Sequence, residues 1–165
     1  MAKDETYIGF VNLKNDTIFG VGKFAILWNV FEDYKCTCEC THEKIKDAVL
    51  HITSDRNAAF KKLVIALNNR ANSIRQGMSI DDYVSKKLYP TDDSRARISP
   101  KERALYMGRV IEFVKSGGET ALDGALLAIW RIRNNMFHGL KGHSALDEQK
   151  ELFEAMCGVL EEIIL

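Results

Sequence analysis

The chain has 165 residues, enough for one domain that buries about two-thirds of its unfolded surface. With 46% hydrophobic and 28% charged residues its composition is that of a globular protein, which excludes a disordered tail. Lys+Arg and Asp+Glu balance at 23 each, which excludes a protein that coats nucleic acid through bulk electrostatics.

The opening MAKDETYIGF lacks a basic-then-apolar signal region, and residues 1–15 read as an irregular N-terminal arm. Over 16–34, Ile18, Phe19, Phe24, Leu27, Trp28 and Phe31 predict a helix weakened by Gly20 and Gly22. Within it FAILWNVF is the longest apolar stretch, far too short to span a bilayer, so no membrane association is expected. The expected location is cytoplasmic, with the four cysteines reduced.

A second helix is predicted over 41–54, with Ile45, Val49 and Ile52 on one side. Phe60, Leu63, Val64, Leu67, Ala71 and Ile74 follow the spacing of an amphipathic helix. Ser79 with Asp82 and Ser99 with Glu102 match the capping-box pattern, and Pro100 occupies a favoured first-turn position. TDDSRARIS between them reads as a polar loop. Further helices are predicted over 100–115, 119–138 and 145–165, separated by Gly117-Gly118 and by Gly139 with Gly142. The last carries Phe153, Met156, Leu160, Ile163 and Ile164 on one face. The whole predicts an all-α bundle of about five main helices with short extra ones, a single domain over 1–165.

Charge is unevenly spread. Residues 55–115 hold 13 Lys/Arg against 7 Asp/Glu, and residues 142–165 hold one Lys against 6 Asp/Glu. A positive middle could guide a polyanion, although solvated helix faces are the stronger reading.

Three stretches invite chemistry. CTCECTH sets Cys36, Cys38, Cys40 and His42 at alternate positions, and thiolates with an imidazole are what zinc takes. Structural zinc sites space their cysteines by two to four residues, so a loop of partly buried thiols is the stronger reading and zinc the alternative. GVGK at 20–23 lacks the spacing and the Ser/Thr of a phosphate loop. The pairs Asp81–Asp82 and Asp92–Asp93 sit at a helix start and in a loop, and the helix dipole explains the former.

The third stretch is RIRNNMFHGLK, residues 131–141. Turning each residue by about 100° places Leu122, Leu126, Ile129, Met136 and Phe137 in a buried stripe. Arg131, Asn134, Asn135 and His138 gather opposite, and Arg133 projects close to the middle of the apolar stripe. A guanidinium there must meet an acid, line a cleft or lie at a subunit interface.

RNNMFHG resembles the motif of HEPN domains: an arginine, four to six residues, then a histidine, with a polar residue usually after the arginine. Arg133 to His138 matches with four intervening residues; Arg131 gives a frame of six, with Ile132 in the polar position. The form here is most similar to the phage-defence and abortive-infection branch. It departs from HEPN toxins paired with small nucleotidyltransferases, which have tyrosine where this chain has Leu140.

The resemblance implies a helical bundle and a metal-independent, cofactor-free RNA endonuclease of a defence, toxin or stress system. Its paired motifs would meet across a homodimer, and the RNA 2′-hydroxyl would attack the adjacent phosphate to leave a 2′,3′-cyclic phosphate. Arg133, Asn134 and His138 would be catalytic; Arg131, Asn135 and Lys141 would contact substrate. An antitoxin or regulatory partner belongs to the same expectation. The alternative is a non-catalytic helical module that binds a nucleotide or a partner protein.

Overall fold

The computed structural model describes residues 13–53, 57–74, 77–91, 98–137 and 144–165. Within them the order is α1 (Asn15–Tyr34), α2 (His42–Val49), α3 (Ala58–Ser73) and α4 (Ile80–Tyr83), which runs on into a π-helical turn (Val84–Leu88). Next come α5 (Pro100–Lys115), α6 (Leu122–Phe137), α7 (Ser144–Asp147) and α8 (Lys150–Ile164). The described residues contain no strand, and the protein is an all-α bundle as expected. None of its helices is long and apolar enough to cross a membrane. The predicted arm survives only from Leu13, which is buried; residues 1–12, and most of the predicted loop at 91–99, lie outside the described residues.

Two groups of helices share one core. In the first, α8 lies between α1 and α3. Phe24, Trp28 and Phe31 form the inner face of α1, and Phe24 meets Phe153 of α8 with ring centroids 5.8 Å apart. Space does not require the glycine at 20, since a Cβ there would sit 3.8 Å from Phe153 Cβ, in ordinary contact. Polar ties close the two ends: Lys23 pairs with Glu161 at 2.7 Å, and Thr17 donates its hydroxyl to Asp147 of α7. In α3 the predicted stripe of Phe60, Leu63, Val64, Leu67 and Ala71 is buried.

The second group surrounds α6, which packs against α2, α5 and the π-turn. Helix α5 begins with the capping box predicted from Ser99 and Glu102, and ends at Gly117 and Gly118, both at positive φ (69° and 83°). At Gly118 a Cβ would also press to 3.1 Å on the backbone of Phe60, so this glycine brings the α5 end onto α3. At Ser79 only half the expected box forms: its side chain accepts from Asp82 N–H. The predicted helix over 119–138 starts later, at Leu122, because Ala121 takes φ 54° and breaks the turn before it.

Candidate functional site: the cleft beside the C-terminal half of α6

The projection of one apolar stripe on α6 is corrected by the fold. Neighbours lie on several sides of this helix, so Ala125, Leu126, Leu127, Ala128, Ile129 and Ile132 are all buried, Leu127 on what was to be the polar side. Arg131 and Asn135, expected on the open side, are 6% and 4% exposed. Arg133 is not stranded in the core: its side chain is 31% exposed. The side chain of Phe137 lies outside the described residues, as do His138, Leu140 and Lys141.

Each described residue of the motif has a definite role in the packing. Arg131 donates from Nε to the Leu88 carbonyl, and its guanidinium carbon lies 5.5 Å from the centre of the Tyr89 ring. Asn135 donates from Nδ2 to the Lys87 carbonyl at 3.2 Å. Both therefore bind carbonyls at the end of the π-turn, where the ladder breaks off. Arg133 donates from Nη1 to Asn134 Oδ1 at 3.1 Å and faces Glu32 of α1, Nη2 to Oε2 4.0 Å. Glu32 also accepts from Trp28 Nε1 at 3.2 Å.

Asn134 and Arg131 line a cleft of about 520 Å³ between α5, α6 and the loop leading into α2. Tyr89, Tyr106 and Trp130 give it aromatic walls, and Glu39, Glu43 and Glu102 make its rim acidic. Tyr106 lies 6.4 Å from Trp130 and 5.3 Å from His42, centre to centre. Burial first, then Glu102 and Glu43, raise the Tyr106 hydroxyl above the ordinary tyrosine pKa, so it stays a neutral donor.

The loop wall is built by the cysteine-rich stretch. Thr37 and Cys38 take positive φ (50° and 66°), which turns the chain back on the end of α1 and brings the Cα atoms of Cys36 and Cys40 to 4.7 Å. These two are joined as a disulfide, a correction to the expectation of four reduced thiols. Lys44 Nζ fastens the turn by donating to the carbonyls of Cys36 (2.7 Å) and Glu39 (3.0 Å). Cys38 remains exposed as a thiol donating to Asp33, and Cys157 is buried in α8, where desolvation pushes its thiol up to about 11. The four donors of the zinc alternative are thus not gathered, and no cluster suited to a metal occurs among the described residues.

His42 turns instead towards α6. Its Nε2 lies 3.2 Å from Asp123 Oδ2, and Asp123 is held from the other side by Arg109, whose Nε lies 3.1 and 2.9 Å from the two carboxylate oxygens and whose Nη2 also donates. Burial works to raise the pKa of Asp123, but hydrogen bonds from Arg109 and then His42 outweigh it and hold the carboxyl below its ordinary range. The sequence reading missed this network: His42 and Asp123 are 81 residues apart. The one signal was an aspartate at the start of a helix that is otherwise LDGALLAIW.

No protein-family model matches the chain, and neither does any curated protein or solved structure.

Proposed function

We propose that the chain is a metal-independent RNA endonuclease that cleaves by 2′-hydroxyl attack and leaves a 2′,3′-cyclic phosphate. The observation that carries the reading is the Arg133–Asn134 pair, a partly exposed arginine bonded to an amide that lines an aromatic-walled cleft. The cleft's 520 Å³ is room for about one nucleotide. The likeness of RNNMFHG to the HEPN motif supports the same assignment. In it, Arg133 holds the phosphate and stabilises its growing charge by two-pronged hydrogen bonds. Asn134 orients a phosphate oxygen, and His138 moves a proton, a step that contributes about 10²- to 10⁴-fold. Arg131 and Asn135 support the site from beneath through the π-turn. A homodimer with the motif at its interface, a defence or toxin setting with a restraining partner, and a cytoplasmic location complete the proposal. Purified protein should cut RNA in the presence of EDTA, and Arg133→Ala should abolish cutting while leaving the melting temperature within a few degrees. Unchanged cutting by that variant sinks the reading.

One observation favours a second reading, a non-catalytic binding module. The rim glutamates Glu39, Glu43 and Glu102 repel phosphate, and Arg131 is turned to Leu88 and Tyr89. Such a cleft suits an aromatic ring bearing amino groups, as a nucleobase does. Saturable nucleotide binding with no cleavage of any RNA would select it.

A further inference from the structure

The rim and the walls of the cleft select for different groups. Glu39, Glu43 and Glu102 reject a phosphate, whereas Tyr89, Tyr106 and Trp130 offer aromatic surface. A ligand that satisfies both is a planar ring with hydrogen-bond donors on its edge. We propose that the cleft takes a guanine base, whose N1–H and N2–H groups donate to Glu102 and Glu43, an inference that rests on placing a nucleotide in this cleft, as above, and names its base.

Both carboxylates are available as acceptors. The Ser99 N–H and hydroxyl donate to Glu102 Oε2 at 2.8 and 2.6 Å, and no hydrogen bond among the described residues engages its Oε1. The Ser99 hydroxyl first, then the Ser99 N–H, hold the Glu102 carboxyl below its ordinary range. A hydrogen bond with its own backbone holds Glu43 there too, so both are charged at neutral pH. Glu102 stands one helical turn before Tyr106 on α5, and the two share a face. Tyr106 is 7% exposed, yet its hydroxyl finds no hydrogen-bond partner among the described residues and is not sealed from the cleft it lines. It is a donor in want of an acceptor. Asn134 accepts from Arg133 through Oδ1, and its Nδ2 remains as a second donor on the α6 side.

Of the RNA bases, guanine alone carries adjacent N1–H and N2–H donors on its pairing edge, with the acceptor O6 beside them. Uracil sets its N–H between two carbonyls, which a pair of carboxylates repels. Adenine and cytosine place an amino group beside an unprotonated ring nitrogen, whose lone pair would face a carboxylate. Carboxylates for the two donors and the Tyr106 hydroxyl for O6 therefore match guanine best. An organic ammonium would also suit glutamates and aromatic rings. It has no acceptor for Tyr106 or Asn134, however, and no phosphate for Arg133 beside them.

Calorimetric titration of the whole chain with the 3′-monophosphates of guanosine, inosine, adenosine, cytidine and uridine, and with spermidine, tests this. Inosine lacks only the 2-amino group of guanosine. The guanosine compound should bind about 10-fold tighter than the inosine one, and the other three more weakly still. Glu43→Gln and Glu102→Gln should each weaken guanosine binding about 10-fold and change uridine binding little. Glutamine at 102 still accepts from Ser99, so the helix cap survives. The comparison among nucleotides in wild type needs no variant. Equal or absent binding, preference for another base, tighter binding of spermidine, or an unchanged guanosine preference in both glutamine variants would overturn the guanine assignment. Cutting of RNA in EDTA judges the nuclease reading separately. Selective guanosine binding with RNA left intact would sink that reading and keep guanine; cutting by a protein that binds all five nucleotides alike would do the reverse.

Discussion

Gly124 of α6 lies directly against the backbone of Arg109 in α5. A Cβ at Gly124 would stand 2.7 Å from the Arg109 carbonyl carbon, closer still to its oxygen, and 2.9 Å from Phe113 Cβ. This close crossing sets Asp123 beside the Arg109 guanidinium and so fixes the wall of the cleft.

Gly124→Ala should therefore destabilise the protein by at least the ~1–3 kcal/mol typical of overpacking, since backbone atoms would have to move. Gly108→Ala, also in a helix but open to solvent with nothing within 4 Å, should stabilise by about 0.5–1 kcal/mol. Urea unfolding of the two variants measures both, and equal effects would contradict the crossing.

Arg131 should matter for stability independently of substrate. Arg131→Met removes the hydrogen bond to Leu88 and leaves a buried carbonyl short of a donor, a loss of about 1–3 kcal/mol. Arg131→Lys should recover only part of it, because a lysine cannot reproduce the planar guanidinium over Tyr89. Thermal melts of both variants without RNA test this; wild-type stability in Arg131→Met would contradict the structural role.

Asp123 sets an acid limit on stability. Its folded pKa is depressed below the ordinary 3.8, so its contribution is complete above that value and is lost as pH falls through the folded pKa. The stability gap between wild type and Asp123→Asn should be constant from neutrality to about pH 5 and should shrink below pH ~4. Denaturant titrations across that range should show the narrowing; a gap that widens towards acid would reverse the sign.

The cysteines can be told apart by labelling. In the folded protein without reductant, an alkylating reagent should reach exposed Cys38 and spare buried Cys157. Cys36 and Cys40 should react only after reduction. Peptide mapping that finds Cys36 alkylated in untreated protein would contradict the bonded pair.

How much of this was legible in the sequence depends on how local the cause was. The Ser99–Glu102 capping box, the Phe60 to Ala71 stripe and the glycine end of α5 were legible, because each rests on neighbouring residues. The placement of Arg131 and Asn135 was not. A projection assumes one open face, whereas α6 has α2, α5 and the π-turn around it. That π-turn, whose carbonyls those two side chains bind, has no sequence signature in VSKKL. The bond between Cys36 and Cys40 was not legible either, because the expectation of four reduced thiols came from an assumed location and not from the loop's geometry. The turn at Thr37 and Cys38, with positive φ at both, is held by Lys44, which lies outside the cysteine spacing.

The central claim is that the cleft at the end of α6 cuts RNA without a metal. Total RNA incubated with wild-type, Arg133→Ala and His138→Ala protein in excess EDTA, with the new ends mapped, tests it most directly. The account predicts fragments with 2′,3′-cyclic phosphate and 5′-hydroxyl ends from wild type alone. RNA left intact by the wild type, or the same fragments from both variants, would contradict it.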